Sequence, residues 1–332
     1  MNEIFEFPII SMLFGGLRAG KAQKVLITGG GGQLGPEFAA HLRNTFGKDN
    51  VICTNVDLRG AWATKGPSEY LDVCNLNDYM RVAANNRVTT VIHFAALLSA
   101  ASERNPALAM QVNSRGVENA LAVADALKLK LFIPSSIAAF GPSTPRVKTP
   151  DVTIQRPSFL YGVGKVYAEL LGDWYHKVKG VDFRSLRYPG VISWKEPPGG
   201  GTTDWACDSY FKAVEGKQFD CFVEKDTRMP MMHVDDIVRG TAEFLTVDSE
   251  KLSQRIYNMS GCAFTPEEQV ASIRKRLPGF KVSYKPDFRQ QIALSWPESL
   301  NDSKAVTDWG WKPRYDLEAI TDDMLRNIPK RE

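Results

Sequence analysis

The sequence predicts an α/β protein: a doubly wound parallel sheet with a smaller C-terminal domain. Three observations predict it. Strand-like and helix-like runs alternate from Lys24 onward. The first strand breaks at once into a glycine turn that opens a helix. The 332 residues are 43% hydrophobic and 24% charged, which suits one large domain or two modest ones with ordinary cores.

Taken in order, residues 24–28 are a short apolar run of strand formers, followed by Gly29, Gly32 and Gly35 at G-x-x-G-x-x-G spacing, with Gln33 and Leu34 between the last two. Apolar residues at helical spacing follow through Phe38, Ala39, Leu42 and Phe46. The early glycines permit a tight turn and close backbone approach to a pyrophosphate. Gly35 lets helix and strand pack closely, and the helix N-terminus offers its N–H groups to the phosphates. This is the Rossmann-type arrangement for a dinucleotide. The second strand, 51–56, leads to Asp57, roughly twenty residues past the last glycine, where an acid can hydrogen-bond the adenosine ribose. A carboxylate there repels a 2′-phosphate, so NAD is the expected cofactor. Arg59 keeps NADP open.

A third strand, 69–73, brings Asp72 and Val73 toward the adenine, although Asp72 is also a candidate cap for a helix beginning near 75–77. The fourth, 89–94, is β-branched and aromatic, and runs into Ala95 and Ala96, small enough for a cofactor to lie close. His93 reads as a sheet histidine. Residues 107–127 are helical by spacing, and Asn113 within them is either on a solvated face or a buried hydrogen-bonding post. After a fifth strand, 129–134, Ser136 stands where open α/β sheets place ligands, either as a partner for a substrate hydroxyl or as a turn residue.

A loop rich in proline and polar residues then delivers the chain to Tyr161. Lys165 follows at i+4 in an apolar-periodic run, so a helix puts both side chains on one face. A phenol is a poor base at neutral pH, and a neighbouring ammonium is expected to lower its pKa. A sixth strand at 183–187 ends at Pro189 and Gly190. Composition then shifts to a glycine-rich stretch, 197–205, whose N–H groups can form an anion nest with Thr202 and Thr203, or which is a plain connector. Thr265, Pro266 and Glu268 spell a capped helix start. The expected organisation is an N-terminal extension at 1–23 and a cofactor domain at 24–188 with a returning segment near 229–248. A substrate-binding domain takes 189–228 and 249–332.

Net charge is +3 with both signs interspersed, which excludes the electrostatic footprint of a nucleic-acid binder. Five cysteines and four histidines are scattered without zinc-ligand spacing, so no metal is expected. The apolar run at 8–14 is too short to span a membrane. Arg18, Lys21 and Lys24, with no acid after Glu6, suit an organelle presequence, whereas Glu3 and Glu6 suit an ordinary tethering extension.

Thr28, the three glycines, Asp57, Ser136 and the Tyr161–Lys165 pair, in this order, resemble the extended short-chain dehydrogenase/reductase family. The likeness runs from about Lys24 to the C-terminus. Within the family, the segments 95–100, 134–142, 187–190, 199–204 and 295–297 resemble the branch that oxidises L-threonine. The resemblance implies NAD-dependent oxidation of L-threonine at C3 to L-2-amino-3-oxobutanoate, with Ser136, Tyr161 and Lys165 catalytic. It further implies substrate contacts at Ser99, Thr203 and Trp296 with Gly190 beside them, and Tyr188 beside the nicotinamide. It also implies a homodimer through the helices near 107–127 and 161–178, a mitochondrial rather than cytoplasmic site, and coupling to glycine C-acetyltransferase. Usual members carry Ser where this chain has Gly164, and activity is expected to survive that change. Arg228, before residues 229–236, keeps a nucleotide-sugar epimerase or dehydratase as the alternative; a non-catalytic NAD-sensing protein is the other.

Overall fold

The computed structural model describes residues 23–195 and 201–329. The first 22 residues, and Gly199 and Gly200 of the glycine-rich stretch, lie outside them. The large sheet contains β1 (Val25–Thr28), β2 (Val51–Asn55), β3 (Ser68–Tyr70), β4 (Thr90–His93), β5 (Lys130–Phe132), the short β6 (Ser135–Ser136) and β7 (Asp182–Tyr188). With β11 (Ile256–Asn258) it runs in the order β11-β7-β5-β4-β1-β2-β3, and β6 pairs beside β7. Its pairings are parallel throughout. Strand order reverses at β1/β4, the switch point at which open sheets of this kind bind ligands.

Period-two alternation explains why these runs are strands buried on both faces. Val25 and Ile27 pack into one core layer, and Leu26 between them into the other. On the first face lie α1 (Gly35–Phe46) and the helix Val234–Thr246. On the second lie α2 (Leu76–Asn85), α5 (Gly116–Leu127) and α6 (Leu160–Trp174). Each fully buried aliphatic side chain in these layers contributes roughly 1.5–3 kcal/mol. Two short helices, α3 (Ser99–Arg104) and α4 (Pro106–Met110), precede a π-helical turn at Gln111–Arg115, so the predicted helix at 107–127 is interrupted.

Past β7 the chain builds a three-stranded sheet from β8 (Gly190–Ile192), β10 (Met229–His233) and β12 (Cys262–Phe264). Between them in sequence, β9 (Phe219–Cys221) pairs with β13 (Val282–Tyr284). A third core cluster, centred on Trp205, Tyr210 and Phe264, fills this region and reaches Ile137 and Phe140. The capping box on Thr265 and Glu268 forms as its sequence predicts. The returning segment differs from the expectation at 229–248. Its strand, β10, joins the small sheet, its helix covers the large one, and it is β11 that re-enters the large sheet. Residues 256–258 find their partner at 185–187, a pairing that no local pattern encodes.

Candidate active site

The glycine turn is as tight as its sequence requires. Gly29 has a φ of +68°, and a methyl group there would lie 2.7 Å from the Ala95 nitrogen. One on Gly35 would lie 2.7 Å from the backbone of Gly30. No side chain caps α1, so its first N–H groups and the positive end of its dipole are left for an anion. A cavity of about 480 Å³ opens there. Gly29, Gly32, Gln33, Leu34, Gly35 and Ala96 line it, as do Tyr188, Gly190, Thr202, Thr203 and Trp296. Such a volume and lining fit the reactive half of a dinucleotide with a small substrate.

Ser136, Tyr161 and Lys165 line the same cavity. Ser136 is the last residue of β6 and its hydroxyl accepts from the Ala138 N–H at 3.2 Å, so it serves as a turn residue and faces the cavity as well. Helix α6 begins at Leu160, whose N–H donates to Glu103 Oε1 at 2.7 Å, an anionic partner that α3 supplies to the helix N-terminus. Gly162 is what brings α6 onto the Ser136 turn, because a Cβ there would sit 2.1 Å from the Ala138 carbonyl oxygen. One turn on, the Lys165 ammonium donates to the Pro134 carbonyl at 2.7 Å and lies 5.3 Å from the centre of the Tyr161 ring.

The electrostatics depart from the sequence expectation. Burial pushes the Tyr161 phenol up to about 12, and a hydrogen bond with Ser136 only partly opposes this. Burial lowers Lys165 to about 8, while Glu169 pulls it back up. Burial is the largest influence on the phenol and opposes its ionisation. In β4, His93 is a core histidine: its Nδ1 is 3.0 Å from Thr28 Oγ1 and 3.1 Å from the Tyr79 hydroxyl, and burial pushes it down to about 3.

Ser99 lies on the cavity wall at the start of α3. Ala95 and Asn113 line a small adjoining cavity with Lys165 and Gly164. Asn113 is the buried post of its two readings. Its side chain accepts from the Leu97 N–H at 2.8 Å and donates to the Leu97 carbonyl at 3.0 Å. A Cβ on Gly164 would approach Asn113 Cβ to 3.3 Å, so this chain has slightly more room there than a serine would leave. Tyr188 donates or accepts a 2.6 Å hydrogen bond with Thr241, and burial raises its pKa. Asp72 accepts from the Cys74 N–H, while Asn75 caps α2. Val73 is buried and its carbonyl accepts from Asn119. Asp72, Val73 and Asp57 line neither cavity. Asp57 lies two residues beyond the end of β2, with its side chain 49% exposed and paired with Arg59.

Sequence reasoning missed the support beneath the site. Glu169, one turn after Lys165, is buried and receives Arg187 Nε and Nη2, each at 2.8 Å, the Gln155 amide at 2.9 Å and the Ser135 hydroxyl. This ties α6 to β7 and to the residue before Ser136. The i+4 spacing from Lys165 was the available clue, but charges on helices are usually solvated.

The model of the NAD dependent epimerase/dehydratase family matches residues 25–260. The chain belongs to that family. Among its relatives, the mitochondrial L-threonine 3-dehydrogenase of Bos taurus is 48% identical over 305 residues, covering 91% of this chain and 82% of its own. An L-threonine dehydrogenase from Phytophthora infestans superposes with a TM-score of 0.89 at 45% identity, over 92% of this chain and 98% of that one. The holo form of a GalE-like L-threonine dehydrogenase from Cupriavidus necator gives 0.90 at 43% identity, over 92% and 100%. With that family and its L-threonine dehydrogenase relatives, the chain is an NAD-dependent oxidoreductase, and the glycine turn with its uncapped helix has the shape and polarity that a pyrophosphate needs.

Proposed function

We propose that this enzyme oxidises L-threonine at C3 to L-2-amino-3-oxobutanoate. The observation that carries this reading is the convergence of Ser136, Tyr161 and Lys165 in one cavity with Ser99, Thr203 and Trp296. Its threonine dehydrogenase relatives support the choice of substrate. Gly29, Gly32, Gln33, Leu34 and Gly35 would hold the pyrophosphate end of NAD, and Ala95, Ala96, Lys165 and Tyr188 the nicotinamide riboside. When bound, NAD supplies the hydride acceptor and a positively charged ring. Ser136 donates a hydrogen bond to the substrate hydroxyl and orients it toward Tyr161. Tyr161 takes the hydroxyl proton. Lys165, fixed by the Pro134 carbonyl, stabilises the phenolate that the buried site otherwise disfavours. Gly190 leaves room for Thr203, since a Cβ there would come within 2.9 Å of it.

The test is NADH formation from L-threonine and NAD by the purified chain. Turnover with threonine is expected, and adding glycine C-acetyltransferase with coenzyme A should draw it forward by consuming the keto acid. Turnover of a nucleotide sugar without net NADH would instead establish the epimerase reading. Arg228 does not favour that reading: it donates to the Ala263 carbonyl at 2.7 Å and pairs with Glu268, away from the cavity lining.

A homodimer belongs to the same proposal. Val163, Leu170, Trp174 and Val178 form an exposed apolar stripe along α6 and its extension, with Leu108 and Met110 exposed on α4. Apolar stripes of this kind mark interaction faces. Light scattering should give twice the 37.0 kDa chain mass, and Leu170→Glu should return the monomer. A monomeric wild type would refute it.

A further inference from the structure

The adenosine end of the cleft is built differently from the acid-bearing site that the sequence spacing suggested. The last residue of β2 is Asn55, which is neutral. Its amide faces the glycine turn: a methyl group on Gly31 would lie 2.6 Å from Asn55 Nδ2 and 2.6 Å from Trp62 Nε1. Asp57 is past the strand, and its carboxylate is occupied by its neighbour, accepting from the Arg59 backbone N–H at 3.0 Å, Nε at 2.9 Å and Nη2 at 2.7 Å. Independently, a cavity of about 270 Å³ opens behind the same turn, between α1 and Trp62. Its charged lining residues, Arg43, Lys48 and Lys65, are all basic, and Arg43 Nε is buried with no hydrogen-bond partner among the described residues.

A carboxylate at the end of β2 discriminates in two ways: it accepts from the ribose hydroxyls, and it repels a 2′-phosphate carrying about −1.5 to −2 charges. A carboxamide keeps the first ability and loses the second, because its oxygen, which here accepts from the Val56 N–H at 2.9 Å, has a second lone pair and its NH₂ donates. The basic residues behind the turn add a field that favours the extra anion. We propose that this chain accepts NADP as well as NAD, with Asn55 rather than Asp57 reading the 2′ position of the adenosine ribose. The proposal rests on the assignment of the glycine turn as the dinucleotide cradle.

Binding, without turnover, tests it. NADH and NADPH are titrated into the full chain and followed by the change in nicotinamide fluorescence. NADPH is expected to bind within about a hundredfold of NADH, the span that a like-charge clash of several kcal/mol would exceed. Asn55→Asp should widen the gap between NADPH and NADH beyond about a hundredfold, the effect of restoring that clash, and leave NADH as tight or tighter. Asp57→Asn should leave the ratio unchanged. Lys65→Gln, on the cavity wall and away from the strand, should weaken NADPH alone, which keeps a reading available if Asn55→Asp folds poorly. A wild-type gap wider than about a hundredfold overturns the proposal, as does a ratio that follows Asp57→Asn and ignores Asn55→Asp. Failure of NADH itself to bind would overturn the cradle assignment and this proposal together.

Discussion

Replacing Tyr161 with Phe is expected to lower kcat with L-threonine by about 10²–10⁴-fold, the range that a positioned general base supplies. The substitution removes one oxygen and keeps the ring that packs at the start of α6, so NADH titration should be nearly unchanged. The pH profile gives the sharper reading. Burial holds the phenol near 12, so its basic form grows as pH rises, and the wild-type rate should climb from neutral toward alkaline pH. The bound nicotinamide charge and Lys165 bring that rise down toward working pH. Tyr161→Phe should lose the climb along with the rate. A variant that keeps more than about a tenth of wild-type kcat, against the at least hundredfold loss expected, would remove Tyr161 from the base role.

Glu169→Ala is expected to destabilise the fold by about 3–5 kcal/mol, the cost of leaving one partner of a buried ion pair uncompensated. Arg187 and Glu169 are only 4% and 2% exposed, and their two parallel 2.8 Å hydrogen bonds form a fork that water cannot replace. Arg187 would be left on the Phe140 ring with the Asp151 carbonyl and Asn258 as its remaining partners. Ser135 and Gln155 would each lose an acceptor. Urea unfolding of Glu169→Ala, of Arg187→Met and of Glu169→Leu with Arg187→Met checks this. The double variant should be more stable than either single one, since it leaves no orphan charge. A loss below about 1 kcal/mol in Glu169→Ala would mean that the pair is energetically idle, as exposed pairs often are. Losing Glu169 also removes the charge that holds up the Lys165 pKa, so even the folded fraction should carry less ammonium at alkaline pH.

Local rules determined much of this protein from the chain alone. Short runs of apolar and β-branched residues placed the strands up to β7 apart from the two-residue β6, because a strand buried on both faces needs apolar side chains on both sides of its pleat. Glycine spacing determined the turn at Gly29–Gly35, since a positive φ and a close approach to Ala95 leave no room for a Cβ. The i+4 spacing put Tyr161 and Lys165 on one face of α6, and the threonine-type segments pointed to the substrate. What the tertiary structure decided depends on contacts between residues distant in sequence. β11 joins β7 across some seventy residues. Strand pairing ended β2 at Asn55, two residues before the acid that a spacing rule selects. The π-helical turn aimed Asn113 at Leu97, and Gly162 allowed α6 to press on the Ser136 turn. The direction of the Tyr161 pKa also waited on the fold. A spacing rule counts the nearby charge, but burial sets the cost of ionising the phenol, and here burial raises it against the Ser136 hydrogen bond.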